Sequence, residues 1–414
     1  MSKESKPSPP VRVIADTTRR CNLKCWYCHS TSGPNYKGPE LTGENIKDIF
    51  EASEDNHVFD VTLTGGEPTM WPGLNKAVEV SHNLSYTSAQ LITNATVLSR
   101  QKIDILKDSN FKRICVSLDG LAETHEQNRG EGTYARTLKG IAELRDVVDN
   151  LTVISVVDST NYKKWPELTK MLYDIGVKQH HLAPVCFAGN AMNDYRGLNE
   201  QQFKEVRDTV DEIKVRFPSK FTLMFNDVLI SGPESRTMTL QSFTEFAKGW
   251  HVVVRPNGKV NTSVRAWGRS WRQDEELGDI NSQGMAQVLN VYKERRRMIA
   301  SSRFEPNEER GRKFHLGPIT DQQIIADIGT VKSVESGETV VYKGTTAVKE
   351  GGVAEILNMD HCESLGLLTQ DVTQDPSRFR LRIEDDFGFL FNTVTFNITV
   401  LNLSEAKEFK RIII

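Results

Sequence analysis

The sequence predicts an α/β chain: about six parallel strand–helix units over residues 11–217, forming a parallel sheet or a barrel, then a strand-rich remainder. Three observations predict it. Short apolar runs alternate with helix-length segments along the first half of the chain. Connections of that length suit parallel crossovers rather than hairpins. The alternation stops after about six units, short of the eight that close a full barrel.

Taken in order, the strand runs are "VRVIADTT" (11–18), "VFDVTLTGG" (58–66), "AQLITNAT" (89–96), "RICVSLDG" (113–120), "LTVISVVD" (151–158) and "HHLAPVC" (180–186). Between and after them lie helix patterns beginning near residues 42, 73, 98, 132, 163 and 199. Thr42 and Asn199 sit where N-caps belong, and Gly176 sits where a helix should stop. Past residue 220 the rhythm changes. "RPNGKV" reads as a turn between two short strands, and the chain near 292–314 is basic and helical at first. From about 320 the pattern is β-rich. "NTVTFNITV" predicts one half-buried strand, with Val394, Phe396, Ile398 and Val400 on one face, and "DDFG" upstream predicts a hairpin turn. The expected organisation is a disordered lead-in at 1–10, the barrel at 11–230, a connector at 231–315 and a β-rich C-terminal domain at 316–414.

Composition narrows the function classes. A net charge of −3 over 414 residues gives no field suited to nucleic acid or an anionic membrane. No apolar run is long enough to span a bilayer, and "MSKESKPSPP" has no hydrophobic segment of a signal peptide. Six cysteines in a chain of this size fit a reducing, cytoplasmic compartment better than a disulfide framework.

Three of those six, Cys21, Cys25 and Cys28, crowd into "CNLKCWYC" directly after the first strand. Three thiolates on one short loop can hold three corners of an iron–sulfur cube and leave the fourth iron open to a ligand. A structural zinc with His29 as fourth ligand is the competing reading, although adjacent ligands close a tetrahedron poorly. The spacing C-x3-C-x2-C, with Tyr27 before the last cysteine, resembles the radical S-adenosylmethionine (SAM) enzymes. "GGEP" (65–68) closes the second strand, "ITNAT" the third and "VSLDG" the fourth, in the order that family shows.

The resemblance implies a partial (β/α)6 barrel of the radical SAM type, one [4Fe–4S] cluster on Cys21, Cys25 and Cys28, and bound SAM. It implies SAM contacts from Tyr27, Gly65, Gly66, Glu67, Thr93, Asn94, Ser117, Asp119 and Arg129. Gly65 to Glu67 match the contact to the methionine amino group, Arg129 matches the partner of its carboxylate, and Tyr27 is expected near the adenine. The implied chemistry is reductive cleavage of SAM and hydrogen-atom removal from a substrate by the resulting radical.

Residues 249–280 resemble the SPASM or twitch extension of that family, in degenerate form. "RPNGKV" and "LGDI" are present, but hydroxyls stand near Thr262 and Ser263 where the family carries cysteines. One cluster is therefore expected, which favours redox-neutral outcomes such as epimerisation. Cys186, ending the sixth strand, is expected at the barrel mouth as a hydrogen-atom donor, against the alternative of a small buried hydrophobe. Cys115 reads as core, and nothing in the pattern places Cys362. "RAWGRSWR", with Trp267 and Trp271, reads as an amphipathic lid, and "ERRRM" (294–298) as a solvated helix face. His180 and His181 fall on opposite sides of one strand.

Two functions compete on these grounds: modification of a peptide or protein, or an epimerase, dehydrogenase or decarboxylase reaction on a sugar, nucleoside or other small metabolite. Either needs an electron donor such as flavodoxin or ferredoxin. A non-catalytic electron carrier fits less well, because it needs no open iron.

Overall fold

The computed structural model describes residues 9–185, 188–194, 196–217, 221–225, 251–262 and 276–301. In the C-terminal part it describes 322–327, 330–333, 339–343, 346–349, 372–383, 387–394 and 398–413. Two compact units divide at Tyr292/Lys293.

The first unit is organised by one ten-stranded sheet that curls as a partial barrel. Its predicted strands are all present: β1 (Arg12–Thr18), β2 (Asp60–Gly65), β3 (Ser88–Thr93), β4 (Arg113–Ser117), β5 (Leu151–Val157) and β6 (Gln179–Pro184). They pair in parallel in chain order. The crossovers are helices α1 (Gly43–Asp55), α2 (Leu74–Ser81), α3 (Arg100–Asp108), α4 (Ala122–Arg129), α5 (Thr133–Arg145) and α6 (Trp165–Asp174). Helix α7 (Glu200–Lys214) leads to a seventh strand, β7 (Thr222–Phe225), parallel to β6.

Local chemistry sets the helix ends. Thr42 and Asn199 each form a complete capping box, with Asn45 and Gln202. Gly176, at φ +83°, takes the left-handed turn that follows α6. The outer face of β1 (Val13, Ala15) and Val11 just before it are fully buried, as expected of a parallel strand covered by helices.

Several expectations need correcting. The sixth strand ends at Pro184, two residues short of Cys186, which lies outside the described residues. Strand β7 and helix α4 were not expected. The turn of "RPNGKV" does join two strands, β8 (His251–Val254) and β9 (Lys259–Asn261), but β8 also pairs in parallel with β1. It thereby extends the barrel sheet, and β10 (Glu276–Asp279) pairs antiparallel with β9 beyond it. Helix α8 (Ile280–Ser301) begins here and includes the backbone of 294–298. Ser263, Trp267, Trp271 and Cys362 lie outside the described residues.

In the second unit, β11 (Gln322–Asp327), β12 (Thr330–Ser333), β13 (Thr339–Lys343) and β14 (Thr346–Lys349) form an antiparallel sheet. A second sheet holds β15 (Phe379–Ile383), β16 (Phe387–Asn392) and β17 (Ile398–Asn402), packed against α9 (Leu403–Ile413). Its core is Val372, Phe379, Leu390, Leu401, Ala406 and Phe409. Strands β15 and β16 do pair antiparallel; of "DDFG", Asp385 and Asp386 lie outside the described residues and Phe387 and Gly388 begin β16. The single strand expected over 392–400 is instead the end of β16, a turn and the start of β17. The Asn392 side chain accepts from Val394 N (2.9 Å), and Thr393 N bonds Arg378 O (2.8 Å), so local polar groups end the ladder there.

The barrel interior is polar at its base. Arg12 pairs with Asp60, Gln90 donates to Asp60 (2.8 Å), and Arg113 donates twice to Gln90 Oε1 (2.9 and 2.6 Å). Cys115 is buried in β4, as expected. The histidine pair splits across β6. His181 is half-buried, whereas His180 is buried outside the sheet between Ser155 Oγ and Thr169 Oγ1, both at 2.8 Å. Burial pushes His180 down from 6.5 to about 3. The unfolded imidazole takes a proton near 6.5 and the folded one does not until about 3. Stability from this group is therefore complete above 6.5 and is lost progressively as pH falls toward 3. Thermal unfolding followed from neutral to acid pH should show the midpoint declining below 6.5. His180→Gln should make that decline shallower.

Candidate metal and cofactor site

The loop after β1 is shaped by backbone pairing with its own return path and with β2. Cys21 N donates to Gly33 O (3.2 Å), and Gly33 N donates to Arg19 O (3.0 Å). Gly66 N donates to Thr18 O (2.6 Å), and Glu67 N to Arg20 O (2.9 Å). This approach requires both glycines. A Cβ on Gly65 would lie 2.3 Å from Thr18 O, and one on Gly66 2.3 Å from Arg20 O. Gly65 also has φ +132°.

Within the loop, Cys28 N donates to Cys25 O (3.2 Å), closing a turn that carries the second and third thiols together. Cys21 is buried; Cys25 and Cys28 are half-buried. Donors are aimed at the sulfurs. Leu23 N lies 3.4 Å and Asn94 Nδ2 3.8 Å from Cys21 Sγ. Ser32 N lies 3.4 Å and Ser30 Oγ 3.3 Å from Cys28 Sγ. Burial pushes the free Cys21 thiol up to about 12 and Cys25 up to about 11, so these sulfurs become thiolates only with a metal's charge beside them. Among the described residues no three His, Cys, Asp or Glu side chains converge as one metal ion requires. Three thiols on one short loop, two of them accepting backbone N–H bonds, suit three corners of an iron–sulfur cube by their number and chemistry.

The other predicted residues gather around this loop. Glu67 is fully buried, and its carboxylate accepts from Thr69 N (3.0 Å), Thr69 Oγ1 (2.6 Å), Thr93 Oγ1 (2.6 Å) and Asn94 N (2.7 Å). It ties the ends of β2 and β3 together. Asn94 also donates to Asn22 Oδ1 (3.1 Å). Ser117 is the half-buried last residue of β4.

Asp119 is a hub. It accepts from Tyr27 Oη (2.5 Å), Arg129 Nε (2.8 Å), Arg129 Nη2 (3.1 Å) and Val156 N (3.0 Å). Burial alone would push this carboxyl up, but the Arg129 guanidinium and the hydrogen bonds outweigh it and hold it below the ordinary carboxylate value. Tyr27 is thus fixed by its hydroxyl to Asp119, with the Arg129 guanidinium 5.5 Å from its ring centre.

Sequence reasoning missed two features. The segment after β6 latches onto the cysteine loop: Asn190 N donates to Cys28 O (2.9 Å), and Asn190 Nδ2 to Cys25 O (3.2 Å). Gly189, at φ +57°, lets the chains touch, since a Cβ there would lie 2.4 Å from both Cys28 O and His29 O. The only sequence signal was "AGNA" close behind β6. The second feature is Asp16, fully buried at the end of β1, with no hydrogen-bond partner on either oxygen among the described residues. Burial pushes it up to about 7, against the opposing pull of Arg19 and Arg255.

Comparison with known proteins agrees with this geometry. Residues 16–172 match the radical SAM superfamily. The chain is 29% identical over 194 residues to pre-heme d1 synthase of Dinoroseobacter shibae, covering 47% of this chain and 48% of that protein. It is 27% identical over 194 residues to PqqA peptide cyclase of Gluconobacter oxydans, covering 46% and 54%. The chain spans about half the length of the curated relatives it matches. Its fold resembles that of SuiB from Streptococcus suis in a SAM-bound crystal structure, at TM-score 0.58 and 16% identity over 73% of this chain and 70% of that one.

Two variants test the packing described here. Gly189→Ala should lower the iron retained after anaerobic reconstitution while far-ultraviolet circular dichroism stays unchanged. Asp119→Ala strands the Arg129 charge in a buried site, and denaturant unfolding should report a loss of about 3–5 kcal/mol. Asp119→Asn should cost less.

Proposed function

From a chain that carries a radical SAM domain, we propose an enzyme that cleaves SAM reductively at one [4Fe–4S] cluster and removes a hydrogen atom from a peptide or protein substrate. The superfamily's cofactors, the cluster and SAM, are the cofactors of this domain. When bound, they supply an electron and a carbon-centred radical; the chain's own residues bind, orient and exclude water.

Cys21, Cys25 and Cys28 hold the cluster in this reading. The single observation that carries it is the three-thiol loop, hydrogen-bonded through Thr18 O and Arg20 O to Gly66 and Glu67. Backbone atoms of Gly65 to Glu67 receive the methionine amino group, because the Glu67 carboxylate is engaged by Thr69, Thr93 and Asn94. Thr93, Asn94 and Ser117 line the rim at the ends of β3 and β4. Arg129, held by Asp119, presents a guanidinium for the SAM carboxylate, and Tyr27 braces that pair beside the cluster.

The peptide reading draws support from relatives. One is a PqqA peptide cyclase, another a sporulation killing factor maturation protein of Bacillus subtilis, and SuiB has been crystallised with its precursor peptide. A specific observation favours the second reading, a small polar metabolite: Thr64, Ser117 and His181 put polar groups on the inner face at the strand ends, all half-buried. In both readings the twitch-like segment lacks a second cluster, and flavodoxin or ferredoxin supplies the electron. Among the described residues no helix is long and apolar enough to cross a membrane; we place the enzyme in the cytoplasm.

Anaerobically reconstituted protein, reduced and given SAM, should form 5′-deoxyadenosine. Cys21→Ala, Cys25→Ala and Cys28→Ala should each lose the cluster iron and fall to background. Stimulation by a peptide and not by sugars or nucleosides supports the first reading, and the reverse supports the second. Cys186 follows Val185, whose N–H still bonds Val157 O at the rim (2.9 Å). Its proposed role as hydrogen donor predicts deuterium entering product in deuterated water, lost in Cys186→Ala; unchanged incorporation in that variant removes the role.

A further inference from the structure

Beside Cys28 lies a pair of buried hydroxyls, those of Ser30 and Ser32. Their oxygens are 2.7 Å apart. Ser30 Oγ is 3.3 Å from Cys28 Sγ, and Ser32 N reaches the same sulfur at 3.4 Å. Thr31, between them, has φ +53° and is exposed, so the backbone turns to place both flanking serines inward. That left-handed conformation is strained for a residue other than glycine. Two polar side chains folded inward at such a cost call for a reason.

Proton bookkeeping fixes the direction of the chain of bonds. A cysteine sulfur that ligates iron carries no proton, so the hydroxyl facing it must donate. Ser30 then donates to Cys28 Sγ and accepts from Ser32 Oγ. Cys28 Sγ receives two donors, the Ser32 N–H and the Ser30 O–H. Cys21 Sγ receives the Leu23 N–H and the longer Asn94 contact. Reducing the cluster adds one negative charge, spread in part over its thiolate sulfurs. Donors aimed at those sulfurs stabilise the reduced state more than the oxidised one and raise the reduction potential. In a buried setting water cannot substitute for a lost donor, so removing one is felt in full.

We propose that Ser30, supported by Ser32, is a positioning residue that raises the reduction potential of the cluster through a hydrogen bond to the Cys28 sulfur. The inference rests on the reading that Cys28 ligates the cluster. Iron content of Cys28→Ala tests that premise separately, because failure of the premise leaves iron in that variant.

The experiment is an anaerobic redox titration of the reconstituted full chain, followed by electron paramagnetic resonance. In Ser30→Ala the midpoint should move to a more negative potential. A tenfold weaker electron-uptake constant corresponds to about 59 mV for one electron. Ser30→Thr, which keeps the hydroxyl, should restore it. Pulsed double-resonance spectra of the reduced protein should show a proton coupling that exchanges in deuterated water and is absent in Ser30→Ala. Ser32→Ala should give a smaller shift of the same sign, and it decides the matter if Ser30→Ala fails to hold iron. An unchanged midpoint in Ser30→Ala with full iron, or in Ser32→Ala where Ser30→Ala is unstable, overturns the proposal.

Discussion

The site depends on two backbone hydrogen bonds, Gly66 N to Thr18 O and Glu67 N to Arg20 O. They dock the start of the cysteine loop on the end of β2 and set where Cys21 begins. Only glycine permits so close an approach at 65 and 66. Glu67 then carries the constraint sideways, since its buried carboxylate binds Thr93 and Asn94 at the end of β3. Asn94 closes the circuit by reaching back to Asn22 and Cys21. Three strand ends and one loop are thereby placed by a continuous set of hydrogen bonds, most of them buried.

On the far side of the loop the binding is electrostatic. Asp119 and Arg129 form a buried bidentate pair, the strong geometry for this type of contact. Its fourth bond, from Val156 N, ties β4 to β5. Tyr27 links the pair to the cysteine loop, so the loop is gripped from β2 by backbone, from β4 by charge, and from beyond β6 by Asn190. A loop held from three directions keeps its thiols in place without forming a regular element.

Much of this was legible in the sequence, and the reasons are physical. The six strands were visible because a strand covered on both faces reads as a short apolar run, and the caps at Thr42 and Asn199 because capping is local. The cysteine loop, the glycines and Asp119 were visible as spaced motifs. Cys186, the tryptophan-rich stretch and Cys362 fall outside the described residues. What the sequence hid is long-range. Strand β8 is short and ordinary, and nothing local says that it pairs with β1, some 240 residues earlier. The Asn190 latch joins residues 165 apart in sequence. The error at 392–400 had a different source: perfect alternation outweighed the turn chemistry of Asn392 and Thr393.

The interior also limits where a substrate can sit. At the base, Arg12, Asp60, Gln90 and Arg113 bond to one another, and opening that network to a ligand would expose buried charge. Above it the register of the parallel strands brings Thr64, Ile92, Ser117, Ile154 and His181 to the inner face, and all of these are half-buried. This band mixes apolar surface with a few polar groups, the composition of a binding surface rather than of a closed core. It lies at the same strand ends as the cysteine loop. In the proposed enzyme a substrate would meet this band beside the cofactor contacts, because Ser117 belongs to both.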